Sequence, residues 1–287
     1  TCLLLLCYAI HTLLQVTQTI AKLKENYDGY HFSPASPDVF NPYSLLNCFD
    51  DKNFGAYWFS SGTPTYLINM LRKFKVLPAK IGRSLARSSA FDAPTENLKT
   101  ITPLLYQSGY ITIKGYDKMS QLFTLDLPNK EIKVGLFESL LPYYLEGMYA
   151  EEGDVAIAQM SVLIRQGDMD GALRLLQEFL GTVPYCNNTN YEGHYQQVLF
   201  IIFTLLTHFV VDVEVHTPNG RVDVVMETED TLYLIELKLN KSAQAAMQQI
   251  NLKQYDQRFA RCGKPIVKVG VNFDAKKGNI EDWTIEP

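Results

Sequence analysis

The sequence predicts an α/β protein: a C-terminal α-β-β-β-α-β core with a mixed sheet, preceded by a mainly helical region. Three observations predict it. Residues 192–210 (EGHYQQVLFIIFTLLTHFV) are apolar nearly all round and read as a buried helix. Three short runs with strand-like alternation follow: VDVEVHT, RVDVVMET and TLYLIELKL. A helical run from Ser242 to Arg261 then leads into one more strand, PIVKVGVNF. The length of 287 residues suits two domains, at roughly 100–200 residues each. With 47% hydrophobic and 20% charged residues, disordered and fibrous classes are excluded.

Taken in chain order, residues 1–14 (TCLLLLCYAIHTLL) are strongly apolar. They are shorter than the roughly 20 residues that span a bilayer, and no basic residue precedes Leu3 as a signal peptide requires. We read them as part of a buried helix in a fragment or processed chain. QTIAKLKENY ends a helix, and the turn-rich DGYHFSPASPDVFNPYS follows. Tyr27-Asp28-Gly29-Tyr30 reads as a packed turn. PTYLINMLRKF has helical spacing with Pro64 at its first turn. Residues 71–91 carry six basic residues (Arg72, Lys73, Lys75, Lys80, Arg83, Arg87) and no acid, read as a solvated helix face plus loop. KTITPLLYQSG, a hairpin GYITIKG/QLFTLDLPN and KEIKVGLFESLLPYYLEG give helix–hairpin–helix, the order of a winged-helix-like unit. Residues 154–180 read as two helices broken at Gly167-Asp168. The expected domains are 1–150, a helical linker at 151–185, and 186–287.

The charge balance, 26 Lys+Arg against 31 Asp+Glu, denies the chain a global positive field for nucleic acid. Five scattered cysteines without a C-x-x-C pair argue against a zinc knuckle or disulfide framework and suit the cytoplasm. Neither G-x-x-x-x-G-K-[ST] nor G-x-G-x-x-G occurs, so no phosphate-binding glycine loop is expected. His194, His208 and His216 have no ligand spacing.

The chemistry concentrates in TLYLIELKL. Alternation places Leu232, Leu234, Glu236 and Lys238 on one face, so two charges stand in an otherwise apolar strand. If the preceding strand is its hairpin neighbour, Asp223 lies beside Glu236. Paired carboxylates repel unless a cation intervenes, and an oxygen-rich set suits Mg²⁺ or Mn²⁺. Lys238 would then reach a metal-bound water or a scissile phosphate.

The series Glu192 … Asp223 … Glu236-Leu237-Lys238 resembles the motif of the PD-(D/E)XK nuclease superfamily, with a restriction-endonuclease-like core. The resemblance implies that Asp223, Glu236 and the Leu237 carbonyl hold the metal and that Glu192 completes or orients its shell. It implies that Lys238 positions the nucleophile and that Gln249, on the following helix, supports the site. For Glu192 the alternative is a simple interaction with the helix dipole. YEGHYQQVLF, GRVDVVM and LIELKL, with LKENYDGYHFS, VFNPYSLLN, YWFSSGTPTYLI and LPNKEI, further resemble a bacterial family that joins an AAA-ATPase-like domain to a nuclease-like domain. Only the distal part of that ATPase domain is matched, without Walker motifs, so no ATPase activity is expected from this chain. The implied partner is nucleic acid, DNA first, with the N-terminal region open to a protein partner. The competing expectation is a catalytically silent module for nucleic-acid or protein binding; 10 Lys+Arg against 13 Asp+Glu from residue 190 onward favour it.

Overall fold

A computed structural model describes residues 16–61, 64–82, 84–91, 94, 99–144, 150–182, 194–206, 210–217, 220–254, 259, 263–274 and 276–287. The chain forms two compact units, Thr1–Ser139 and Leu140–Pro287, the division falling inside a helix. Among the described residues no helix is long and apolar enough to cross a membrane.

The first unit opens with α1 (16–27) and the turn that follows it. Tyr27 is fully buried and its hydroxyl donates to the Gly55 carbonyl (3.0 Å). Gly29 takes φ +98°, and Lys114 Nζ donates to the carbonyls of Gly29 (2.7 Å) and Pro128 (3.0 Å). The turn is therefore packed and pinned. Helix α2 (Pro42–Asp51) was absent from the sequence expectation, although its start is well signed. Asn41 caps it, accepting from the N–H groups of Tyr43 and Ser44, and Pro42 is pre-set for the first turn. A 3₁₀ turn (Tyr57–Ser61), α3 (Thr65–Lys73), β1 (Ser84–Ala86), α4 (Ser88–Phe91) and α5 (Thr102–Gln107) follow. The hairpin β2 (Thr112–Asp117)/β3 (Leu122–Asp126) leads into α6 (Lys130–Tyr144). The helix–hairpin–helix order is thus present. The expectation lacked β1, which pairs with β3 to give an antiparallel sheet of order β1-β3-β2. Ile68, Leu125, Ile132, Leu136 and Phe137 form the unit's core.

In the second unit, α7 (Ala150–Arg165) and α8 (Met169–Thr182) break at Gly167, φ +79°. Next come α9 (His194–Leu205), β4 (Val210–Thr217), β5 (Gly220–Glu227), β6 (Leu232–Leu239), α10 (Ala243–Lys253), β7 (Ile266–Asp274) and β8 (Asn279–Glu286). The five strands lie in sequence order. β6 and β7 are parallel, and every other pair is antiparallel. Parallel neighbours need a crossover, and α10 supplies it. The sheet is mixed, as its sequence suggested, but β8 is an additional strand. It carries no apolar run, and α8 dresses it instead. Gln177 Nε2 donates to the Ile280 carbonyl (2.8 Å), Asn279 Nδ2 to the Gln177 carbonyl (3.0 Å), and Trp283 Nε1 to Asp170 Oδ1 (2.8 Å). Helix α8 is therefore docked along the outer strand. On the α10 side, Val225, Leu232, Leu234, Met247 and Ile250 make one apolar cluster.

Candidate active site

β6 is buried on both faces from Leu232 to Glu236. Apolar side chains explain four of those five positions. The fifth is Glu236, at 1% exposure. Alternation turns Glu236 and Lys238 toward α10, in line with Leu232 and Leu234. Lys238 Nζ donates to Glu236 Oε1 (2.8 Å) and to Gln249 Oε1 (2.7 Å), and Gln249 Nε2 donates to Glu236 Oε1. Carboxylate, amine and amide thus close a three-membered network.

Helix α10 can seat Gln249 there because it lies close on the sheet. Ser242 Oγ caps it by accepting from Ala245 N–H (3.1 Å), and Ala243 and Ala246 are buried small residues. Gly270 pairs with Glu236 in the parallel register. A Cβ at Gly270 would stand 2.5 Å from the Ala243 carbonyl oxygen and 2.9 Å from the Met247 nitrogen. Sequence reasoning passed over this residue, although a lone glycine inside a strand signals close backbone approach.

On the other side, the β5–β6 ladder runs from Glu227↔Leu232 to Val224↔Ile235. One step further, Asp223 stands opposite Glu236. At this step the ladder opens, and Asp223 Oδ2 accepts the Leu237 main-chain N–H (2.9 Å). A side chain replaces a main-chain partner, which satisfies the β6 backbone and fixes the Asp223 carboxylate at the mouth of the opening.

The electrostatics follow. Burial first, then the neighbouring Asp223 charge, push Glu236 from an ordinary 4.5 up to about 7, against the pull of Lys238 and, less strongly, of the Asp223 main-chain N–H. Its second oxygen, Oε2, is buried and has no hydrogen-bond partner among the described residues. A buried carboxylate oxygen without a donor is costly. Facing a second carboxylate, it fits a hard divalent cation of the Mg²⁺ or Mn²⁺ kind, which takes oxygen ligands. Among the described residues no group of three or more His, Cys, Asp or Glu converges on one point. The described side-chain donors for a cation are therefore the two carboxylates.

Asp223, Glu236, the Leu237 backbone, Lys238 and Gln249 are accordingly gathered at one end of β6. Glu192 lies outside the described residues, as does His208, and the side chains of His194 and His216 are likewise not described.

A carboxylate pair and an adjacent lysine thus stand together at one end of the mixed sheet. Residues 190–283 match the family described as the PD-(D/E)XK nuclease superfamily, so the C-terminal part of the chain carries a domain of that superfamily. Over 271 residues the chain is 30% identical to a protein of Azotobacter chroococcum mcd 1 named only as an uncharacterised protein in the vnfD 5′ region. The match covers 91% of this chain and 51% of that protein, so the chain spans about half the length of the curated relative it matches. No solved structure matches.

Proposed function

We propose that the chain is a metal-dependent nuclease that hydrolyses nucleic-acid phosphodiester bonds, with DNA as the first substrate to test. The carrying observation is the buried Glu236 carboxylate beside the Asp223 charge, its Oε2 without a close hydrogen-bond partner among the described residues, and Lys238 clamped to its Oε1. Glu236, Asp223 and the Leu237 carbonyl would hold Mg²⁺ or Mn²⁺, with Glu192 completing or orienting the shell. When bound, the ion supplies Lewis acidity and a low-pKa water. Lys238 keeps its ammonium at a fixed spot, because two acceptors use two of its three protons. The third is available to orient a nucleophile or steady charge on a phosphoryl oxygen. Gln249 holds Lys238 and Glu236 at once and acts as a positioning residue. The N-terminal unit is read as the distal part of an AAA-ATPase-like domain, on the strength of its ordered motifs.

Asp223→Ala and Lys238→Ala should each abolish Mg²⁺-dependent cleavage of plasmid or oligonucleotide DNA while leaving the circular dichroism spectrum unchanged. Asp223→Ala should also lose Mg²⁺ binding in calorimetry, whereas Lys238→Ala should retain it. Undiminished cleavage in either variant refutes the assignment. The excess of acids over bases from residue 190 onward favours a second reading, a silent binding module. Metal binding without cleavage of any DNA or RNA would select it.

A further inference from the structure

The first unit contains a pocket of about 550 Å³ lined by Tyr43, Trp58, Phe59, Tyr66, Leu104 and Tyr110 among others. That lies within the roughly 300–1,000 Å³ of small-ligand sites. Five of these six are aromatic, and Ser108 adds a hydroxyl. Two of the tyrosines stand largely in solvent: Tyr66 is 63% exposed and Tyr43 50%. At these exposures part of each side chain meets solvent.

The wall is built rather than accidental. Trp58 and Phe59 sit on the 3₁₀ turn, whose Trp58 main-chain N–H is held by Glu131 Oε1 (2.8 Å) from α6. Glu131 is itself buried, at 3% exposure. One turn along α6, Gly135 leaves the space that the Phe59 ring occupies.

Cations follow one of the lining residues along α3. Tyr66 opens α3, and Asn69 and Lys73 follow it on the same stripe at i+3 and i+7, both exposed. Two turns of helix place Lys73 about 10 Å along the axis from Tyr66. Exposed Lys75 comes directly after α3, and no acid occurs anywhere in residues 71–91. Planar rings that take a π-face, followed by cations at nucleotide-scale distance, are the two components of single-strand recognition.

We propose that this pocket is a binding site for single-stranded nucleic acid, stacking bases on Tyr66, Tyr43 and Trp58 while Lys73 and Lys75 meet the phosphates. The site belongs to the first unit alone and does not depend on the nuclease reading. A proline-rich peptide would also suit an aromatic groove, but it gives no use for the cations.

The chain's two tryptophans make the test direct. In the 287-residue chain carrying Trp283→Phe, Trp58 is the sole tryptophan reporter. With EDTA present, a single-stranded dT oligonucleotide should quench Trp58 fluorescence saturably. Tyr66→Ala, at an exposed position, should weaken binding about tenfold or more. Lys73→Ala should weaken it and flatten the dependence of log affinity on log salt by about 0.7. Lys118→Ala, at an exposed position of the β2–β3 turn outside both sites, should leave both unchanged. Absence of quenching, an unaltered affinity in Tyr66→Ala, or quenching by a proline-rich peptide but not by the oligonucleotide would overturn the proposal.

Discussion

Glu236→Gln tests the electrostatic account of the site most directly, because it replaces the carboxylate by a neutral group of the same shape. A carboxyl whose folded pKa is about 7 rather than 4.5 binds more protons in the native than in the unfolded chain between those values. Stability is therefore fully present below about pH 4.5, falls as pH rises toward 7, and is level above it. The loss amounts to about 3 kcal/mol. Glu236 is almost wholly buried, so solvent screening does not reduce this figure much. The variant keeps an oxygen for Lys238 and Gln249 but leaves Lys238 without its counter-charge, which offsets part of the gain. At pH 8 in EDTA we expect Glu236→Gln to be more stable than the wild type by about 1–3 kcal/mol, and at pH 4.5 to be nearly equal to it. In urea that is a midpoint shift on the order of 1 M. The assay is Trp283 fluorescence in a Trp58→Phe background, since Trp283 lies on β8 and reports the second unit. Mg²⁺ should then stabilise the wild type at pH 8 and leave Glu236→Gln unmoved. Superimposable pH profiles for the two proteins in EDTA would refute the reasoning, because the buried carboxylate would then carry no electrostatic cost.

Further outcomes are expected elsewhere. Gly270→Ala should lift α10 from β7, costing about 1–3 kcal/mol of stability and withdrawing Gln249 from Glu236; thermal unfolding and cleavage rates, measured together, check it. Mg²⁺ affinity should weaken as pH falls below about 7, since Glu236 must lose its proton to hold a cation; calorimetry at pH 6 and 8 reads this. Gly29→Ala should destabilise the first unit by about 2 kcal/mol or more, because φ is +98° and the added methyl would meet the Pro128 carbonyl and Lys114 Nζ; intrinsic Trp58 fluorescence against urea measures it.

What the sequence discloses here depends on how local each cause is. Alternation in β6 is a property of consecutive residues, so the shared face of Glu236 and Lys238 could be read directly. The apolar run of α9 was equally plain, and Val198, Ile201, Ile202 and Phe203 are buried. Helix α2 was overlooked because its ten residues show no long apolar period. The Asn41–Pro42 start was the available signal. β8 was not legible, because what covers it comes from α8, about a hundred residues away in the chain. The docking of α8 escaped for the same reason. The opening of the β5–β6 ladder was beyond sequence too. It depends on the Asp223 carboxylate outcompeting a main-chain oxygen for the Leu237 N–H, and no pattern of residue types encodes that.

The same opening explains why the site stands at this end of the sheet. A regular ladder would leave no gap between β5 and β6, and Asp223 and Glu236 would be an ordinary like-charged cross-strand pair, which is destabilising. By spending one carboxylate oxygen on the β6 backbone, Asp223 is fixed in place. The apolar packing of Leu234, Met247 and Ile250 then keeps the Glu236 oxygen away from water on the α10 side. Gln249 and Lys238 both use one Glu236 oxygen, and the other has no close hydrogen-bond partner among the described residues. A structural ion pair would be expected to satisfy both oxygens, since a half-satisfied buried carboxylate is a net cost to the fold. On the proposed function, that oxygen is where a cation would bind, a need that a salt bridge merely holding a strand to a helix does not have.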